Sequence, residues 1–253
     1  MGVAMIASTL EGCVWQASEK QVAAMSLKSL ETPDPKRMGQ RGEKRYALIM
    51  AGLQLFGKHG LEATTTRMLA ETSGANVAAI PYYFGSKEGL YRAVMAYILD
   101  RIDDHVGDTF TKLQTMQQEA PLSREQALAS YKALMTTLAG IMVESDEPKA
   151  WAQIIMREQA NPTEAYEIFH RRHMKRTLQA SHQLVGVITG LDPKSLEVKM
   201  RTHAMLGQIL GFLVSRETLL RSLNVKKLNK THLQVMHKVL TNNIDACLLK
   251  PID

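Results

Sequence analysis

Cysteine is scarce in this sequence, and its scarcity excludes two common kinds of stabilising site. Cys13 and Cys247 are the only cysteines among 253 residues, and they lie near opposite ends of the chain. A disulfide framework or a structural zinc site needs several cysteines at short, regular spacings. We therefore expect neither, and we expect the protein to work in the reducing environment of the cytoplasm.

Long apolar runs and secretion signals are also missing. No apolar run approaches the ~20 residues that a membrane-spanning helix needs. The first residues carry no basic segment, and Glu11 interrupts their short apolar stretch, which argues against a signal peptide. The sequence predicts no association with a membrane.

The common sequence motifs of enzymes are absent as well. The chain has no P-loop, no strand-coupled glycine-rich fingerprint, no HExxH and no Gly-x-Ser-x-Gly elbow. His170 and His173 stand three residues apart, a spacing that can hold a metal on a helix, but two histidines alone do not complete a ligand set. We therefore predict a protein that is not an enzyme and that uses no cofactor and no metal ion.

Positive charge, in contrast, is plentiful and unevenly distributed. The net charge is +6, and between Lys36 and Arg92 nine lysines and arginines stand against four acidic residues. Such a cluster is typical of a segment that binds the phosphates of a nucleic acid. A merely solvated surface is the alternative.

The stretch from Thr64 to Leu90 has the layout of a helix-turn-helix, the motif that presents its second helix to the major groove of DNA. Thr65 or Thr66 is placed to cap the first helix, and Ser73-Gly74 ends it. Asn76 is suited to cap a second helix whose first turn is VAAI. Those side chains are small, so this backbone can approach base edges closely.

Several side chains of the segment are suited to contact DNA. Tyr82 and Tyr83 carry hydroxyls that can reach phosphates. Lys87 lies in the first turn of a third helix that Ser86 caps, where acidic residues are usual, and a nearby phosphate explains a cation there. The predicted DNA-binding residues are Lys44, Arg45, Thr65, Thr66, Arg67, Asn76, Val77, Ala78, Ala79, Tyr82, Tyr83 and Lys87.

This segment resembles the DNA-binding domain of the tetracycline-repressor (TetR) family of bacterial transcription factors. The run ANVAAI followed by YYFGSKEGLY is most similar to the CecR-like branch of that family. The positions that match the family motif are Phe56, Gly60, Thr65, Ala70, Gly74, Ile80, Phe84, Lys87 and Leu90. The resemblance implies an all-α fold, in which a three-helix DNA-binding domain precedes a helical domain that binds a small effector and forms a homodimer.

Two residues depart from the pattern of that branch, which usually has asparagine and histidine where this chain has Pro81 and Tyr83. A proline inside a helix cannot donate to the carbonyl four residues earlier, here that of Val77, and its ring crowds that carbonyl. We therefore predict a kink in the recognition helix near Ile80. Asparagine in place of Pro81 is then expected to stabilise the helix.

The chain divides into three segments. Residues 1–43, whose second half contains Pro33, Pro35 and Gly39, are predicted to form a flexible arm, and residues 44–92 form the helix-turn-helix domain. Residues 93–253 have helical patterns throughout and are the predicted effector-binding and dimerisation domain. Within them Asn161-Pro162 and Asp192-Pro193 are predicted helix starts, the second of a helix that reaches about Leu223.

Two sets of residues are candidates for the work of the C-terminal domain. Methionine and aromatic side chains adapt to apolar ligands. The predicted effector-binding residues are Met142, Trp151, Ile155, Met156, Phe169 and His173, with ordinary core packing as the alternative for each. The predicted dimer interface consists of a strip of small residues, Ala204, Gly207 and Gly211, together with Met236, Leu240 and Ile244 of the last helix.

The leading hypothesis is a ligand-responsive transcriptional regulator, a repressor that binds a palindromic operator as a dimer and is released by a small-molecule effector. The recognition helices of such dimers lie about 34–36 Å apart. An effector can act by favouring a conformation in which this spacing is lost. The alternatives are a helical enzyme or carrier with a vestigial helix-turn-helix, and a DNA-binding protein without a ligand.

Overall fold

A computed structural model describes residues 40–143 and 148–250 of the chain, and every regular element in these ranges is a helix. The predicted all-α fold is therefore confirmed. Most of the predicted N-terminal arm, residues 1–39, lies outside the described residues. The elements are α1 (Gln40–Ala63), α2 (Thr66–Ser73), α3 (Ala79–Phe84), α4 (Lys87–Glu119), α5 (Arg124–Val143), α6 (Pro148–Ala160), α7 (Glu164–Phe169), a π-helical turn (His170–Met174), α8 (Lys175–Thr189), α9 (Leu196–Val214), α10 (Arg216–Ser222) and α11 (Lys230–Leu248).

The first three helices pack around the beginning of the long helix α4. Phe56 of α1, Leu69 of α2 and Ile80 of α3 have no exposed surface and belong to one hydrophobic core. The ring of Phe56 meets the ring of Tyr91 edge to face, with 5.0 Å between the centroids. Because α4 is 33 residues long, it also continues into the C-terminal helices and forms part of both packing units.

The C-terminal helices are built around α5, which packs against α4, α8, α9 and α11. The stripe of α4 that the sequence predicts to be buried, from Tyr91 through Met95 and Ile98 to Ile102, is at most 3% exposed. Helix α6 lies between the two units, because it packs against both α1 and α5. Close approach of α1 and α6 depends on Gly57, where a Cβ atom would lie 3.1 Å from the Cβ atom of Ala150.

Two predicted helix starts are wrong by two or three residues. Helix α7 begins after Thr163, whose hydroxyl accepts the backbone N–H of Ala165, and α9 begins after Ser195, whose hydroxyl accepts the N–H of Val198. At Asp192 the side chain accepts the N–H of Lys194 and so forms a turn instead of a helix cap. The helix predicted to reach Leu223 is also divided at Ser215 into α9 and α10.

The prediction that Met236, Leu240 and Ile244 form the dimer interface is corrected by their burial. They are only 5%, 2% and 1% exposed in the single chain, where they belong to its own core. The opposite face of α11 carries Val235 and Val239, which are 57% and 43% exposed. A buried stripe at helical spacing looks the same in sequence whether the helix that covers it belongs to the same chain or to a second one.

Within the described ranges, no helix combines the length and the apolar character that crossing a bilayer requires.

Gly60 provides a test of the end of α1. Its backbone has φ 81° and ψ 174°, a region that residues with a Cβ atom occupy only at a cost of about 1–3 kcal/mol. We expect Gly60→Ala to lower the free energy of unfolding by that amount, as measured by urea denaturation. Gly107→Ala is the matched control, since Gly107 lies inside α4 with open space around its Cα, and alanine there should raise stability by up to ~1 kcal/mol. Equal effects of the two substitutions would contradict this backbone geometry.

Candidate functional site

The helix-turn-helix is formed by α2, α3 and the turn between them. Thr65 caps α2 by accepting the backbone N–H of Met68 at 3.2 Å, which confirms one of the two predicted caps. Gly74 ends α2 in the left-handed region, with φ 67°, as the sharp turn requires. Asn76 follows, and its side-chain oxygen accepts the backbone N–H of Ala78 at 2.9 Å.

Pro81 lies in the first turn of the recognition helix and not in its interior as predicted, because that helix begins at Ala79 and not at Val77. Pro81 is the third helical residue, and N–H groups in the first turn have no partner within the helix in any case. The carbonyl of Val77 instead accepts the N–H of Ile80, and that of Ala78 accepts the N–H of Tyr82. The proline therefore shortens the helix at its start, and the expected kink is replaced by a turn at residues 77 and 78.

None of the twelve residues predicted to bind DNA is buried. Val77 is 45% exposed and Tyr82 is 65% exposed, unusual values for large apolar and aromatic residues. The exposed members of the predicted set are Lys44, Thr65, Arg67, Asn76, Val77, Ala78 and Tyr82, and the half-buried members are Arg45, Thr66, Ala79, Tyr83 and Lys87. Exposed small and hydroxyl-bearing side chains are suited to contact the base edges at the floor of a DNA groove.

The cations of this surface are partly held by the protein itself. The ammonium group of Lys87 donates to the carbonyl of Leu61 at 2.9 Å, so its position in the first turn of α4 has a structural cause besides any phosphate. Arg67 forms an exposed ion pair with Glu71 at 2.9 Å.

Two arginines of α1 lie over aromatic rings near α3. The guanidinium of Arg41 lies 5.2 Å from the ring centre of Tyr82, and that of Arg45 lies 5.3 Å from the ring centre of Phe84. Partial burial lowers the pKa of Arg45. The sequence places Arg41 in the predicted arm, whose basic residues could enter a minor groove, with a disordered tail as the alternative. Nothing in the sequence indicates that Arg41 and Tyr82 meet.

A partly open apolar cavity of about 90 Å³ lies among the C-terminal helices. Its walls are Ile102 of α4, Leu138 and Ile141 of α5, Ile155 and Gln159 of α6, Phe169 of α7, His173 and Met174 of the π-helical turn, and Leu206, Ile209 and Leu210 of α9. Three predicted effector residues, Ile155, Phe169 and His173, are among them. Trp151 and Met156 are not, and the side chain of Met142 lies outside the described residues. Apart from Ile155, the aliphatic residues of the wall were not predicted from the sequence, because they look like ordinary core positions.

His173 and Gln159 are the polar residues of this wall. The imidazole of His173 stacks on the ring of Phe169, with 6.1 Å between the centroids, and its Nδ1 atom lies 3.8 Å from a carboxylate oxygen of Asp103. Arg172 holds the neighbouring Asp100 at 2.5 Å. The π-helical turn determines this placement, and such turns often occur at functional sites.

Comparison with known proteins identifies both parts of the chain. Residues 48–94 match the family model of the bacterial regulatory proteins of the tetR family, and residues 127–249 match that of the C-terminal domain of the HTH-type transcriptional dual regulator CecR. The CecR protein of Shigella flexneri is 31% identical over 214 residues, which cover 83% of this chain and 92% of that relative. The chain belongs to the TetR family. It is a helix-turn-helix transcriptional regulator of the CecR-like branch.

Further relatives share only parts of the sequence or only the fold. The regulator RutR of Escherichia coli K12 is 38% identical over 65 residues, which are 26% of this chain and 31% of RutR. AibR, solved in complex with isovaleryl coenzyme A and operator DNA, superimposes with a TM-score of 0.56 at 14% identity over 82% of this chain and 100% of AibR. The fatty acid degradation regulator FadR from Bacillus halodurans superimposes with a TM-score of 0.53 at 16% identity, over 82% of this chain and 96% of FadR. These structures share the TetR-family fold.

The cavity of this TetR-family chain is connected to its DNA-binding helices through Glu158. Glu158 is 2% exposed and accepts hydrogen bonds from the hydroxyl of Tyr91 at 2.8 Å and from the backbone N–H of Thr163 at 2.9 Å. Burial, and then the hydrogen bond to Glu158, raise the pKa of Tyr91, so its phenol stays protonated as the donor. The adjacent Arg157 donates to the carbonyl of Lys58 in α1 at 3.4 Å. One turn of α6 thus contacts the cavity, α4 and α1.

The position of Pro81 in the first turn of α3 leads to a test. Replacing it with alanine should change the free energy of unfolding by less than ~1 kcal/mol, because no interior hydrogen bond is restored. Thr65→Ala is the control within the same motif and should lose about 1 kcal/mol with the cap of α2. Both are measured by urea denaturation. If Pro81→Ala instead raises the free energy of unfolding by about 3 kcal/mol, the cost of an interior proline, the recognition helix is strained at Pro81.

Proposed function

We propose that this protein is a repressor that binds a palindromic operator as a homodimer and leaves it when a small molecule fills the apolar cavity. One observation carries the proposal, namely that α6 contributes to the cavity wall and also contacts the helices that hold the DNA-binding motif. The regulator then works in the cytoplasm, through binding equilibria and not through catalysis. The enzyme and carrier hypotheses have no support among the relatives.

The DNA step rests on the exposed start of α3 and on the cations around it. Asn76, Ala78 and Tyr82 are uncovered, so bases can be read directly, while Lys44 and the arginines of α1 lie where phosphates can approach. The hydroxyl groups of Thr65 and Tyr83 are suited to the sugar-phosphate backbone. AibR, which has the same fold, was solved with operator DNA.

The dimer step rests on an apolar face that the single chain leaves uncovered. Helix α9 exposes Met200 and Val214, at 62% and 63%, on the side that also carries Ala204, Gly207 and Gly211. Helix α11 packs beside α9 and exposes Val235 and Val239. A contiguous apolar face on two neighbouring helices is typical of an interface between subunits. We place the dimer contact there, in a four-helix bundle formed by α9 and α11 of both protomers.

The effector step rests on the position of α6. A ligand can shift the equilibrium between two conformations only if it binds one of them more tightly. A molecule larger than the cavity favours a conformation in which α6 and α7 move outward. Because α6 contacts α1 and α4, this movement displaces the DNA-binding helices of each protomer, and the two α3 helices no longer match half-sites about 34–36 Å apart.

Salt dependence tests the DNA step. We expect a steep fall of log K with log salt on the DNA that flanks the gene, and Lys44→Ala should flatten the slope by about 0.9, the contribution of one phosphate. The measurement is a fluorescence anisotropy titration at several salt concentrations. Lys230→Ala, an exposed lysine at the start of α11, is the control and should leave the slope unchanged. If Lys44→Ala leaves the slope of log K against log salt unchanged, Lys44 does not contact DNA.

Gly207→Leu tests the dimer step. A Cβ atom at Gly207 meets no atom of the described chain within 4 Å, so the protomer can accommodate leucine, whereas a partner helix in close contact cannot. We expect light scattering to show half the mass of the wild type, with unchanged helix content by circular dichroism. Gly107→Leu on α4, another site with open space, should remain dimeric. A dimeric Gly207→Leu variant would place the interface elsewhere.

A further inference from the structure

Four hydroxyl groups in the C-terminal domain are buried without a hydrogen-bond partner among the described residues. They belong to Tyr131, Thr177, Ser181 and Thr202, which are 0%, 1%, 0% and 0% exposed. Leaving a buried hydroxyl unsatisfied costs roughly 1–3 kcal/mol, and native proteins contain few such groups. Neither the DNA interface nor the proposed dimer face uses them. We call Tyr131, Ser181 and Thr202 the hydroxyl cluster.

The helix register places the members of this cluster together. Helices α5 and α8 run antiparallel, since Arg124 donates to the carbonyl of Ile188 at one end while Leu138 and Met174 share the cavity wall at the other. Tyr131 lies midway between Arg124 and Leu138, and Ser181 lies midway between Ile188 and Met174. The two residues are therefore at the same level of the α5–α8 packing.

The third helix of this interface brings Thr202 to the same level. Helix α9 packs against both α5 and α8, and its Ile209 contributes to the cavity wall. Seven residues, or two helical turns, separate Ile209 from Thr202, as they separate Met174 from Ser181. The hydroxyl cluster thus lies about 11 Å from the cavity along all three helices.

Polar side chains lie between the cavity wall and the cluster, in the π-helical turn and in α8. His173, Thr177 and Ser181 follow one another at intervals of four residues, so they lie on one face of the helix. All three are buried. Burial also raises the pKa of the Tyr131 hydroxyl, which keeps it protonated as a donor. Hydroxyl groups donate and accept hydrogen bonds but carry no charge.

From this arrangement we infer that the effector is an elongated, uncharged amphiphile, whose apolar end fills the cavity and whose polar end binds the hydroxyl cluster between α5, α8 and α9. The inference rests on the proposed function, because it assigns the chemistry of the same effector site. Binding of this kind separates α8 from α5 and α9 and satisfies hydroxyls that have no hydrogen-bond partner among the described residues.

Primary alcohols of different length test this inference on the full-length protein. 1-Octanol can span two helical turns, whereas 1-butanol can reach only the cavity. By isothermal titration calorimetry, we expect Ser181→Ala to weaken 1-octanol binding about three- to tenfold, the value of one hydrogen bond, and to leave 1-butanol binding unchanged. Thr202→Val should likewise weaken 1-octanol binding and leave 1-butanol binding unchanged. It keeps the test valid if Ser181→Ala does not fold.

Two controls separate the inference from the proposed function. Thr189→Val removes a hydroxyl of α8 that already donates to the carbonyl of Val185 at 2.7 Å, so 1-octanol should bind as in the wild type. Ile155→Trp fills the cavity and should abolish binding of both alcohols. If 1-octanol binds equally well to wild type, Ser181→Ala and Thr202→Val, the hydroxyl cluster is not part of the site. If neither alcohol binds the wild type, both the cavity as effector site and the inference built on it are overturned.

The unliganded variants provide a second readout. Replacing a hydroxyl that has no partner by an apolar group of similar shape is neutral or stabilising. Ser181→Ala and Thr202→Val should therefore melt at the same temperature as the wild type or higher. A lower melting temperature for both would show that these hydroxyls are already bonded in the unliganded protein and would overturn the inference.

Discussion

The buried carboxylate of Glu158 is the contact on which the arrangement of the two halves depends. A carboxylate that is 2% exposed is tolerated only when hydrogen bonds satisfy its oxygens, and here the donors come from Tyr91 of α4 and from Thr163 at the start of α7. One residue of α6 therefore holds three helices in a fixed relation. Removing either donor leaves a buried charge less satisfied, which is far more unfavourable than losing a surface ion pair. The same requirement explains why α7 starts at Glu164 and not at the preceding Asn-Pro.

This junction gives the proposed regulation a physical basis. Ile155 and Gln159 are in the cavity wall, while Arg157 and Glu158, on the same turn of α6, bind α1 and α4. A helix moves as a rigid element over so short a distance, so an outward shift at the cavity changes the contacts with both. The hydroxyl cluster lies about two helical turns from the cavity wall, between α5, α8 and α9. If the effector reaches the cluster as we propose, it acts on α9, which carries the proposed dimer face, as well as on α6.

Pro81 shows how a local sequence conflict is resolved without strain. The proline removes one donor from the recognition helix, and the helix begins two residues later, where that donor is not needed. Val77 and Ala78 consequently lie in a turn before α3, held by the side chain of Asn76. The recognition motif therefore consists of a turn followed by six helical residues. Its geometry differs from that of a helix beginning at Val77.

The sequence alone determined the helical class, the helix-turn-helix and the family, because caps, turn glycines and apolar periodicity are local and repeat at fixed spacings. It placed Thr65, Gly74 and Ser86 correctly for the same reason. Tertiary structure decided which helices cover which faces. It put Met236, Leu240 and Ile244 inside the protomer, brought Arg41 over Tyr82, and assembled a mainly apolar cavity from residues of five helices and a π-helical turn. These are contacts between residues distant in the chain, and an apolar side chain has the same pattern in sequence whether it faces the core, a ligand or a second subunit.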